Sequence, residues 1–181
     1  MKMKRKKFLE KVVFGLLMFG FMFLFNGNIK ADITVTTEAQ LRAAMTSGKS
    51  ETINVAANIT MTGGWIEVNG NYRLVASGAE HTIMRAANKE GWMFHVGTYS
   101  SVIVGYTGAS YNLNIGGNKS ANPNFKSSGC FFIEGNDKGA GSLIVTSHGV
   151  IRNFRNKDSN AGAAIYNLNG SVTIRNGGTI Y

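Results

Sequence analysis

From Thr52 onward the chain is built of short apolar pairs with one residue between them: Ile53 and Val55, Ile59 and Met61, Ile66 and Val68, Leu74 and Ala76. Each pair is bounded by Asn, Gly or Ser. The pattern continues with Val102 and Val104, Leu113 and Ile115, Leu143 and Val145, and Val172 and Ile174. A spacing of two puts both apolar side chains on one face of a strand. Strands this short cannot bury that face alone, and turns this irregular disfavour a sandwich of longer strands.

The pattern also repeats at a longer period. "GWMFHVG" from Gly91, "GCFFIEG" from Gly129 and "GAAIYNLNG" from Gly162 align at spacings of 38 and 33 residues. Each is followed by a second strand ("SSVIVG", "GSLIVTS", "GSVTIRN") and a third ("YNLNIGGNKS", "GVIRNFRNKDS", "GGTIY"). Three strands per repeat predict an all-β fold, a right-handed parallel β-helix of about four coils, in which each repeat makes one turn and pairs with the turns beside it. Phe94, Phe132 and Ile165 are expected to stack in one sheet, and Val102, Leu143 and Val172 in another. The composition agrees: 23 glycines serve turns, and a single proline, Pro123, falls in the longest loop.

Two segments precede the coils. Residues 1–31 have a cationic head (Lys2, Lys4, Arg5, Lys6, Lys7, Lys11), an apolar run from Val12 to Phe25, and a polar stretch ending in Ala31. This is the layout of a signal peptide, with cleavage expected after Ala31 and a secreted or cell-surface product. The run is short for a membrane span, so no membrane association is expected after cleavage. The leader holds seven of the 19 Lys and Arg and one of the 10 acids, leaving twelve against nine, a net +3. The high isoelectric point of 9.8 is therefore mostly a targeting signal, and nucleic acid is not an expected partner. Residues 32–50 hold a first strand and "TTEAQLRAAM", the one convincing helix. Thr37 stands as N-cap with Gln40 at the capping-box spacing, and Leu41, Ala44 and Met45 share an apolar face that caps the column. Residues 51–181 form the β-helix. "GGTIY" occupies a third-strand slot, so the chain reads as truncated there or as one module of a longer protein, with end-to-end self-association through an uncapped coil expected.

"VTTEAQLRAAM…TINVAANITM" resembles the opening of the pectate-lyase-like adhesive domains of Gram-positive surface proteins, where a capping helix precedes a first strand pair. "AGAAIYNLNGSVTIRNGGTIY" is similar to the GGAIYN-type repeats of bacterial β-helix adhesins. The resemblance implies a non-enzymatic, adhesin-like module presenting a sheet face to a glycan or protein.

The candidate chemistry is sparse. The β-helix also hosts polysaccharide lyases and hydrolases, which need carboxylates in mutual reach. Beyond the leader the acids are Asp32, Asp137, Asp158 and six scattered glutamates. The alternative reading, a polysaccharide lyase or hydrolase or an inactive relative, needs Glu134, Asp137 and Asp158 to meet in one groove. Glu67, between two inward residues, is expected to face solvent. His81, His95 and His148 are too dispersed for a metal site, and "SHGVI" lacks the aspartates a catalytic His148 would need. No catalytic residue, metal or cofactor is assigned. Cys130 reads as a small buried hydrophobe. Arg152, Arg155, Lys157 and Arg175 form a candidate basic strip for an anionic glycan, a cell-wall polymer or a host surface protein. Trp65, Trp92, Tyr111 and Tyr166 are candidates for a sugar-stacking platform. Asn112, Asn153, Asn167 and Asn176 read as turn and ladder residues.

Overall fold

Alternating Ile, Val, Leu and Met with Thr, Asn and Glu gives each run one apolar edge, and stacking is the way to bury it. The computed structural model describes residues 32–87, 89–117, 127–156 and 164–181. β1 (Ile33–Val35) and α1 (Glu38–Met45) lead into a first coil of β2 (Ser50–Val55), β3 (Ile59–Met61) and β4 (Ile66–Val68). The second coil is β5 (Asn71–Ala76), β6 (His81–Arg85) and β7 (Gly91–Val96). The third is β8 (Ser101–Val104), β9 (Leu113–Gly116) and β10 (Ser127–Asn136), with β11 (Gly139–Ala140) folded back on the end of β10. The fourth contains β12 (Ser142–Val145), β13 (Gly149–Arg152) and β15 (Ile165–Leu168), while β14 (Arg155–Asn156) pairs antiparallel with the start of β10. β16 (Ser171–Ile174) and β17 (Thr179–Ile180) begin a fifth.

The strands visit three sheets in strict rotation. The first runs β1-β2-β5-β8-β12-β16, the second β3-β6-β9-β13-β17, and the third β4-β7-β10-β15. Apart from β11 and β14 the pairings are parallel. The architecture is a parallel β-helix with a short N-terminal helix.

Register places like residues over like. Ile59, Ile83, Ile115 and Ile151 form one inward row of the second sheet, all buried. Ile53, Leu74, Val104 and Val145 form one in the first. Val102, Leu143 and Val172 stack as the sequence predicts. Val172, Ile165 and Ile180 are only partly buried and Ile174 is half exposed, because no further described strand covers them.

The third sheet departs from expectation by one residue. Phe131, not Phe132, lies between Phe94 and Ile165, with its ring 4.9 Å from that of Phe94. The amides of Cys130 and Phe131 both donate to the Ala164 carbonyl, so the strand bends and two successive side chains turn inward. Met93 and Phe94 are buried in succession in the same way. The glycine alignment slips accordingly: Gly129 lies opposite Trp92, and Gly91 opposite Ser128. Phe132 consequently points out.

Helix α1 closes the N-terminal end with Leu41, Ala44 and Met45. Thr37 Oγ1 accepts from the Gln40 amide at 3.3 Å, but the return arm reaches one residue further back than a capping box requires. Gln40 Oε1 accepts from the Thr36 amide at 2.8 Å. Glu38 and Arg42, 2.8 Å apart, fasten the helix to the β3–β4 turn. Glu38 takes the amides of Thr62 and Gly63 and the Thr62 hydroxyl. Arg42 donates to the carbonyls of Gly64 and Trp65. Partial burial pushes the Glu38 carboxyl up, but the hydrogen bonds from Thr62, Arg42 and Gly63 outweigh it and bring it from 4.5 to about 2. Asn153 and Asn176 occupy left-handed turn positions, as their residue type predicts.

Two outcomes check this account. Phe131→Ala should cost about 3–5 kcal/mol in urea unfolding, and Phe132→Ala only about 1 kcal/mol; the reverse order would restore the predicted register. Because the Glu38 carboxyl is depressed on folding, its contribution is complete above pH 4.5 and fades as pH falls toward 2. Glu38→Gln should therefore lower stability by about 1 kcal/mol, after solvent screening, at neutral pH. At the acid end of that window the variant and the parent should unfold at the same urea concentration.

Candidate functional site

In β4, β7, β10 and β15 the residue between two inward positions points outward. Register lines those residues up as one row, Glu67–His95–Phe132–Tyr166. The Phe132 and Tyr166 rings stack at 5.4 Å, and His95 lies 5.0 Å from Phe132. Trp65 and Trp92 flank the row. Trp65 is 5.1 Å from His95, and Trp92 is 6.1 Å from both Phe132 and Tyr166. Four aromatic rings and an imidazole thus line the outer face of the third sheet across four coils; Trp65 is exposed and the other four rings are partly buried.

Two local devices hold this platform. Gly129 lies under Trp92, where a Cβ would come 2.0 Å from the indole, so only glycine lets the ring lie against the strand. Arg42 grips the Trp65 carbonyl, so the capping helix holds the backbone that carries the first ring.

His95 is held between two carboxylates. Its Nε2 is 3.0 Å from Glu134 Oε2, which comes from the next coil. Glu67 Oε1 lies 2.5 Å from Nδ1 but out of line for a ring N–H, a close contact and not a formed hydrogen bond. The imidazolium presents a donor to each side, whereas the neutral ring presents one. His95 stands between the acids, so the three do not converge on a point. Among the described residues no His, Cys, Asp and Glu group of three is arranged to hold a metal ion.

The other sequence candidates are scattered. Arg152 ends β13, with Nη1 3.4 Å from the Tyr181 hydroxyl. Arg175 follows β16 at the corner between the first and second sheets, so the length of a second-sheet strand separates the two. Lys157 and the side chain of Arg155 lie outside what the structure describes. Tyr111 precedes β9 on another sheet. Asp137 is exposed in the β10–β11 turn, and Asp158 lies outside the described residues. His148 takes a left-handed turn conformation near the Tyr106 carbonyl, and the His81 ring lies beside the Ser77 carbonyl. A groove of about 280 Å3 crosses the outer face of the second sheet, lined by Thr60, Met84, Gly116 and Arg152 in one row.

Cys130 is fully enclosed, and burial pushes its thiol well above the ordinary range against the pull of nearby Arg85. Arg85 occupies an inward position and donates to the carbonyls of Lys89 and Glu90, closing the corner between β6 and β7.

Sequence reasoning named Trp65, Trp92 and Tyr166 but missed Phe132 and the His95 ties. The signal was present in "IEV", "FHV", "FFI" and "IYN", whose central residues form the row once the bend in β10 is placed. Comparison of the chain with known protein families, with curated proteins and with solved structures finds no match. The site therefore rests on its geometry.

Gly129→Ala should displace Trp92 from the row. In a Trp65→Phe background, the fluorescence of Trp92 should shift to the red with the strand spectrum retained; unchanged emission would place the indole elsewhere.

Proposed function

We propose that this chain is a secreted or surface-exposed, non-enzymatic module, comparable to the pectate-lyase-like adhesive domains its termini resemble, and that it binds glycan on the outer face of the third sheet. The observation that carries the reading is the aromatic row Trp65–His95–Phe132–Tyr166 with Trp92 beside it. Aromatic faces offer flat apolar area to the C–H faces of sugar rings. Carboxylates and an imidazole at the edge supply hydrogen-bond partners for hydroxyls, the mixture that fixes orientation in ligand sites. The platform is set on rigid strands, so little ordering is lost on binding. The leader supports a location outside the cell, where such a face meets polysaccharide.

The alternative, a lyase or hydrolase, needs Glu134, Asp137 and Asp158 to meet in one groove; Asp137 is exposed in the β10–β11 turn and Asp158 lies outside the described residues. The aromatic row favours holding a glycan over cleaving it. The anionic-polymer reading of Arg152, Arg155, Lys157 and Arg175 calls for cations gathered on one face, and Arg152 and Arg175 stand at different corners of the coil.

Affinity electrophoresis through gels containing soluble polysaccharides tests this. Trp92→Ala should weaken retardation about tenfold, the loss of one stacking partner of roughly 1.4 kcal/mol, with the melting temperature shifted by only a few degrees. Arg152→Ala with Arg175→Ala should leave retardation unchanged. The opposite pattern would move the binding face to the second sheet, and shortening of the polysaccharide during incubation would establish an enzyme.

A further inference from the structure

The charge around the aromatic row narrows the ligand. Strands β4, β7, β10 and β15 contain no Lys or Arg; the one cation on a described strand paired with this path is Arg155 of β14, opposite Ser128 at the start of β10, and its side chain lies outside what the structure describes. The guanidinium that holds the Trp65 carbonyl, that of Arg42, is paired with Glu38. The row instead carries two carboxylates, Glu67 with 58% and Glu134 with 46% of the side chain exposed, so both reach a ligand lying on the rings. His95 contacts one oxygen of each, Glu67 Oε1 and Glu134 Oε2. The second oxygen of each carboxylate, Glu67 Oε2 and Glu134 Oε1, is in no hydrogen bond among the described residues and has lone pairs for a donor from outside.

Resting on the glycan-binding reading above, we infer that the saccharide this face takes carries free amino groups: a hexosamine polymer with protonated, non-acetylated nitrogens. Its pyranose rings lie along the aromatic row, parallel to the coil axis, and its ammonium groups pair with the outward oxygens of Glu67 and Glu134. An acetylated nitrogen carries no charge and adds bulk at the edge. An acidic sugar meets two like charges. The carboxylates remain hydrated, so the discrimination is modest and sensitive to salt.

The test measures binding of the full chain to three β-1,4-linked hexasaccharides of one backbone, those of glucosamine, N-acetylglucosamine and glucose, with polygalacturonate as the acidic probe. The glucosamine hexamer should bind about tenfold tighter than the other two, as two screened ion pairs allow. That advantage should shrink at high salt and vanish in Glu67→Gln with Glu134→Gln. A single Glu67→Gln, which leaves the Glu134–His95 hydrogen bond in place, should lose part of it, and unchanged melting curves show that the fold persists. Equal binding of the three hexamers, insensitive to both substitutions, overturns the amino-sugar preference and keeps the glycan face. Tightest binding of polygalacturonate overturns it as well. Binding of none of the probes, with the parent folded, overturns both readings.

Discussion

Nearly everything in this protein follows from one constraint: each strand of the three stacked sheets, β11 and β14 apart, forms its backbone hydrogen bonds in parallel with the strand one coil away. A residue therefore has for its neighbours the residues at the same position of adjacent coils. Inside, this converts a loose apolar pattern into the continuous row Ile59–Ile83–Ile115–Ile151. Outside, the same operation turns single polar and aromatic residues into a surface. Glu67, His95, Phe132 and Tyr166 lie far apart in the chain and each is unremarkable alone; stacking makes them one row.

The cap and the platform are consequently parts of one structure. Leu41, Ala44 and Met45 close the column, and the turn that Glu38 and Arg42 fasten carries Trp65. Interaction energy passes from coil to coil, as in other solenoids, so each coil supports the face of the next.

The fold was legible because it depends on two periodicities that composition cannot hide, the alternation within strands and the recurrence of three strands per repeat. The cap was legible through Thr37, Leu41, Ala44 and Met45. The site was legible only residue by residue. Aligning Gly129 with Gly91 placed Phe132 inside, and in a strand a shift of one residue sends every side chain to the other face. The bend at Cys130 and Phe131, with two amides on one carbonyl, leaves no mark in hydrophobicity. The Glu134–His95 pair spans 39 residues and arises from stacking alone. Arg152 and Arg175 illustrate the converse: sequence gives their spacing around the coil but not the corner at which each emerges.

Cys130 gives the molecule a built-in clock. Its sulfur lies beneath the third sheet, fully enclosed and with its thiol pushed well above the ordinary range. Thiol reagents react with the thiolate, and only when it is reached. Modification of this single cysteine must therefore wait for the coils around β10 to part. The rate of its labelling reads out how often that happens, with no residue changed.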